Sequence, residues 1–152
     1  LMLQKNNMSE AEREEFLDRF SEKLDRTLVA FGIMGGIFGE GIDLKNDRLI
    51  GAIVVGTGLP QISNERTILK DYYDAENGCG FDYAFRYPGI NKVLQAAGRV
   101  IRTTEDTGVI LLLDERFWQR EYDLLYPREW SDRKPCNIAN VGKLVADFWE
   151  QI

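Results

Sequence analysis

Histidine is absent from this 152-residue chain, which removes the commonest zinc ligand and the side chain best suited to general-base work near neutral pH. Any chemistry is left to aspartate, glutamate and arginine, so acid–base hydrolysis by this chain alone is not expected. Cysteine is scarce. Cys79 and Cys136 are the two present, fewer than the four thiolates an iron–sulfur cluster takes, and reduced thiols are expected rather than a disulfide. No apolar run approaches the roughly 18 residues of a membrane span, and no secretory or lipidation signal is visible. The expectation is a cytoplasmic chain with no membrane partner. Repeats and low-complexity linkers are missing too, which points to residues 1–152 as a single domain. Positive charge is short: the net charge is −6 and the pI about 4.8. Lysine and arginine contacts to phosphate supply most nonspecific nucleic-acid affinity, so an autonomous DNA-binding module is disfavoured and any DNA contact must be local.

What is present is a chain that is 44% hydrophobic, enough for a workable core, and patterned as alternating strands and helices. Leu1 to Gln4 predicts a short strand. Ser9-Glu10-Ala11-Glu12 is a capping box opening a helix whose apolar stripe is Phe16, Leu17, Phe20 and Leu24. Leu28 to Met34 and Leu49 to Val55 read as strands buried on both faces, as parallel strands covered by helices are. A helix over Ser63 to Glu76 is closed by Asn77-Gly78. Pro88-Gly89 opens a helix to about Ile101, Gly108 to Leu113 is a strand, and Glu115 to Leu125 and Ile138 to Trp149 are helices. Such alternation implies an α/β sheet.

The most informative stretch is Gln95-Ala96-Ala97-Gly98-Arg99-Val100-Ile101-Arg102. At about 100° per residue, Val93, Leu94, Ala97, Val100 and Ile101 share an apolar stripe, while Gln95, Arg99 and Arg102 project together from the opposite side. Ala96, Ala97 and Gly98 keep the surrounding surface low. Arginine suits phosphate because its planar, permanent cation grips two oxygens at once. A surface helix making ordinary salt bridges is the bland alternative. Upstream, Gly35, Gly36, Gly39 and Gly41 flank Phe38 and Glu40 in a loop whose backbone can approach a ligand closely. Val55-Gly56-Thr57-Gly58-Leu59-Pro60 ends the following strand.

The Q-x-x-G-R-x-I-R octet resembles the last helicase motif of superfamily-two DNA helicases of the XPD and DinG branch. Gly36-Ile37-Phe38-Gly39-Glu40-Gly41-Ile42-Asp43 is similar to that branch's G-x-F-x-E-G-[IV]-D motif, and the Gly-Leu-Pro strand end follows in the family's order. The resemblance covers about Leu28 to Phe117. It implies a RecA-like, mainly parallel sheet flanked by helices, an incomplete copy of the second motor domain and a piece of a longer chain. It further implies a motor that hydrolyses ATP with Mg²⁺ between two RecA-like domains and moves 5′ to 3′ on single-stranded DNA. The partners implied are the first RecA-like motor domain of the parent chain and single-stranded DNA. By that likeness Arg99 and Arg102 act as arginine fingers on the γ-phosphate and Gln95 senses the same site. Glu40 and Asp43 face the nucleotide, and backbone near Gly36, Phe38 and Gly39 meets DNA phosphate. The iron–sulfur cluster of many relatives is not expected in this stretch.

The phosphate cradle itself lies elsewhere. A Walker A loop needs G-x-x-x-x-G-K-[ST], and at the one Gly-Lys pair, Gly142-Lys143, Asn137 stands for the first glycine and Leu144 for the hydroxyl residue. Ile110 to Glu115 imitates a Walker B strand, but Asp114 reads as a helix cap and no metal site is expected. Phe81, Tyr83, Phe85 and Tyr87 alternate with Asp82, Ala84 and Arg86. A packing face is favoured there over a base-stacking platform. Trp118, Tyr122, Tyr126, Trp130, Phe148 and Trp149 read as a C-terminal core. The rival to a motor domain is a non-enzymatic protein-interaction module that retains a helicase-like fold.

Overall fold

Ser9 starts the first helix as its spacing predicts. Its hydroxyl accepts from the Glu12 amide, and the Glu12 carboxylate accepts in turn from the Ser9 backbone, so two orphan helix donors are satisfied reciprocally. A computed structural model describes residues 1–20, 26–36 and 49–152; the expected positions Leu24, Phe38, Gly39, Glu40 and Asp43 lie outside the described residues. Two compact units divide the chain, Leu1–Phe117 and Trp118–Ile152.

In the first unit β1 (Met2–Leu3) pairs in parallel with β2 (Ala30–Phe31). Helix α1 (Glu10–Asp18) buries Phe16 against Met2, Met8, Ala30 and Leu49. A second parallel pair joins β3 (Gly51–Val55) to β4 (Val109–Leu113), in register from Gly51 opposite Val109 to Val55 opposite Leu113. Helix α2 (Asn64–Asn77) is capped at Ser63, whose hydroxyl accepts from the Arg66 amide, and closes on Gly78 in the left-handed region. A π-helical turn, Asp82–Arg86, runs straight into helix α3 (Tyr87–Ala97). Helix α3 packs on β3 and on that turn, burying Ile90, Val93 and Ala97 beside Val54, Ala84 and Phe85.

The two strand pairs are parallel, in keeping with an α/β fold, but the burial expected of them is one-sided. Val54 is buried, whereas its neighbours Ile53 and Val55 are 62% and 73% exposed. Only the face toward α3 is covered among the described residues. Around β2, Val29, Phe31 and Ile33 are exposed as well. A continuous apolar run fits a strand covered on both faces, and it carries no mark of a face left open.

The second unit begins beyond Phe117, itself buried in a 3₁₀ turn over Glu115–Trp118. The single helix expected from Glu115 to Leu125 is therefore broken: a short helix α4 (Arg120–Asp123) follows, with Gln119 in extended conformation between. Arg128–Trp130 is a further 3₁₀ turn and α5 spans Val141–Trp149. Tyr122 is buried, but Trp118 is exposed and does not join a core. Arg133 lies over the Tyr126 ring, 4.6 Å from its centroid, and pairs with Asp123. Burial pushes the Tyr126 hydroxyl up to about 12. Both cysteines are free thiols.

Candidate functional site

Two backbones meet at the base of the arginine motif. Gly58, at φ +69°, passes so close to Gly89 that a methyl group added to it would lie 2.7 Å from the Gly89 carbonyl oxygen. One added to Gly89 would lie 2.7 Å from the Thr57 carbonyl oxygen. The Gly-Leu-Pro strand end and the N-terminus of α3 are thus held in direct backbone contact, which two side-chain-bearing residues would forbid. Thr57, 1% exposed, is sealed beneath this crossing. At the next turn of α3 the Lys92 stem lies over Gly35, with its Cδ and Cε 3.2 Å from where a Cβ would stand. That contact ties the start of the glycine-rich loop to the arginine helix. Gly36 continues it, its amide donating to the Ile33 carbonyl at 2.9 Å.

Helix α3 ends at Ala97, short of the expected Ile101. Gln95 is exposed on its last turn. Arg99 and Arg102 lie beyond the helix, so the shared helical face predicted for all three does not form. The physical reason is a tightening of the chain after Gly98. The Arg99 amide donates to the Ala96 carbonyl and that of Val100 to Ala97, both reaching back three residues rather than four. Val100 still reaches the core, with Cγ1 against Gly108, but Ile101 is exposed rather than part of the stripe.

What then fixes Arg102 is Asp106. Its Oδ2 accepts from the Arg102 amide at 2.9 Å, the Thr103 amide at 2.7 Å and the Thr103 hydroxyl at 3.1 Å. These donors, the Arg102 amide first, hold the Asp106 carboxyl below its ordinary value. Both arginines are half-buried. Sequence reasoning missed Asp106, although a threonine three residues before an aspartate just past a helix end is the spacing of a side-chain-stapled turn. Asp114 does cap as expected, accepting from the Arg116 amide at 2.9 Å, and it also grips the Arg116 guanidinium bidentately at 2.8 and 2.7 Å. That engagement, led by the Arg116 side chain, lowers its pKa.

The aromatic stretch is helical, not extended. On a helix its rings pair at four-residue spacing: Phe81 with Phe85 at 5.4 Å and Tyr83 with Tyr87 at 5.2 Å. Tyr73 of α2 stacks on Tyr83 at 3.9 Å and 9° between planes. The rings pack on one another, in keeping with the packing role, with Phe81 and Tyr83 left 42% and 38% exposed.

A family model described as the helicase C-terminal domain matches residues 1–133, which takes in the crossing, the arginine turn and Asp114 alike. The chain belongs to the helicase C-terminal domain family. Relatives of this helicase domain include the ATP-dependent DNA helicase XPD of Sulfolobus acidocaldarius, 32% identical over 89% of this chain and 24% of that protein. The regulator of telomere elongation helicase 1 homolog of Caenorhabditis elegans is 29% identical over 69% of this chain and 11% of the relative. The ATP-dependent DNA helicase DinG of Photobacterium profundum is 31% identical over 66% of this chain and 14% of the relative. The helicase domain here spans a quarter or less of the length of these relatives. Among its described residues no helix is long and apolar enough to cross a membrane.

Proposed function

We propose that this helicase C-terminal domain is the second motor half of an ATP-dependent DNA helicase that moves 5′ to 3′ on single-stranded DNA. In this reading Arg99 and Arg102 reach the γ-phosphate of ATP held on the first RecA-like motor domain, and Gln95 senses the same group. The observation that carries the reading is the turn after α3, where Arg102 sits on backbone stapled by Asp106 and Arg99 on the tight turn just before it, beside small residues that leave room for an approaching surface. Such residues fit a phosphate grip and not a whole nucleotide cradle, for which the sequence has no Walker A. The chemistry supplied with ATP and Mg²⁺ is phosphoryl transfer to water. The arginines' share is electrostatic: they meet charge that develops on the phosphoryl oxygens, a contribution worth on the order of 10³ to 10⁵ in rate where arginine fingers act.

The glycine-rich loop would carry the state of that site toward DNA, with Glu40 and Asp43 on the nucleotide side and backbone at Gly36, Phe38 and Gly39 on phosphate. Lys92 against Gly35 supports such coupling, since it joins loop and helix mechanically. The test is DNA-stimulated ATP turnover of the parent protein with Arg99→Ala, Arg102→Ala and their lysine counterparts, read beside thermal melting. Turnover should fall by about 10³ or more with melting nearly unchanged, and lysine should rescue poorly because it lacks the planar fork. Alanine variants with near-normal turnover would return the domain to the rival reading of a protein-interaction module.

A further inference from the structure

We infer that the cleft between the end of β1 and helix α1 is a phosphate-binding subsite, shaped for the ester phosphate of a nucleic-acid backbone; the choice of nucleic acid rests on the function proposed above. The cleft has a volume of about 420 Å³ and is lined by Gln4, Lys5, Asn6, Asn7 and Arg13, with Gly36 entering from the other strand. Its lining holds two cations, three side-chain amides and no carboxylate. In a chain of net charge −6, that is a local reversal of sign.

The acids near it are turned to other work. The Glu12 carboxylate is held by the Ser9 amide at 2.8 Å and the Ser9 hydroxyl at 2.9 Å, and with Glu15 it lines a neighbouring cleft, which Lys5 also borders. Among the described residues neither Lys5 nor Arg13 is in an ion pair. Arg13 uses its Nε to donate to the Met8 carbonyl at 3.2 Å, which steadies the guanidinium plane and spends one of its five N–H donors. Gln4 ties the cleft to the second strand: its Oε1 accepts from the Ile33 amide at 2.8 Å, and its Nε2 stands 3.4 Å from where a Cβ on Gly36 would be. The cleft is therefore continuous with Gly36 of the glycine-rich loop. Two cations and neutral amides lining one cleft suit phosphate oxygens chemically, and contacts of this kind position a strand without reading its bases.

The experiment uses the 152-residue chain, with inorganic phosphate and a labelled 12-nucleotide oligothymidylate as separate probes. Amide shifts by NMR locate binding, and fluorescence anisotropy against salt counts phosphate contacts. Lys5→Gln and Arg13→Gln should each weaken the oligonucleotide by about threefold or more and flatten the slope of log affinity against log salt by about 0.7, the single-strand value per contact. Lys143→Gln, which changes net charge equally but stands outside the cleft, should leave that slope alone. Amide shifts at Gln4 to Met8 with phosphate, but no oligonucleotide binding, would uphold the subsite and overturn its nucleic-acid assignment. Oligonucleotide binding unaffected by the Lys5 and Arg13 variants would overturn the subsite and leave DNA binding elsewhere on the domain. No shift at Gln4 to Met8 with either probe overturns it outright.

Discussion

At the scale of single residues, the site depends on atoms that side-chain chemistry alone would not single out. Gly58 and Gly78 share a left-handed backbone, at φ +69° and +72°, yet only Gly58 has another backbone against it. Gly78→Ala should cost about 1–2 kcal/mol, the conformational penalty of an L-residue there. Gly58→Ala adds the collision with Gly89 and should cost roughly 1–3 kcal/mol more; urea unfolding of both variants separates the two. Equal losses would mean that the crossing relaxes freely. Asp106 makes a prediction about pH. Its folded pKa lies below the ordinary 3.8, so its hold on the turn is complete above that value and is lost as pH falls through the lower folded value. Amide protons of Arg102 and Thr103 should lose exchange protection in that acid window, and Asp106→Asn should abolish the transition while leaving the α3 amides unaffected.

Elements show how an extra residue per turn changes what a pattern means. The π-helical turn at Asp82–Arg86 leads into α3 without a break, so rings that alternate in sequence are paired at four-residue spacing, and Tyr83 meets Tyr73 of α2 face to face. A double-mutant cycle between Tyr73→Ala and Tyr83→Ala should give a coupling of about 0.5–1.5 kcal/mol; zero coupling would make the stack incidental. The N-cap of α1, the C-terminal stop of α2, the presence of the four strands and the Asp114 cap were legible because each is encoded within a few residues, as in Ser9 with Glu12 and Asn77-Gly78 after an amphipathic run. The Ser63 cap was not among them, and β2 is shorter than the apolar run Leu28 to Met34 suggests. The end of α3 was not legible either, because Gly98 leaves both an α and a tighter turn open, and the three-residue bonds of the Arg99 and Val100 amides that close it are not recorded in the apolar stripe. One-sided burial of Ile53 and Val55 was hidden for a similar reason, since a strand's sequence records its apolarity and not its neighbours.

For the whole molecule, the proposed function implies a division of labour between this chain and a first motor domain. The domain spans 24% of the XPD relative's length, carries candidate phosphate-gripping arginines, and has no Walker A sequence to hold a nucleotide. Binding energy for ATP and the charge that responds to its transition state would then sit on different domains, and hydrolysis would require both to meet. The isolated 152-residue chain should neither bind ATP tightly nor turn it over. Calorimetry and a phosphate-release assay, with and without single-stranded DNA, read the two quantities separately. Adding the first motor domain of the parent chain in trans should restore turnover only with Arg99 and Arg102 intact, because the arginines act on a group that this chain does not hold. Steady hydrolysis by the isolated chain that disappears with Arg99→Ala would place a complete active site here and sink the division. Restored turnover that survives Arg99→Ala and Arg102→Ala together would keep the division and remove the arginines from it.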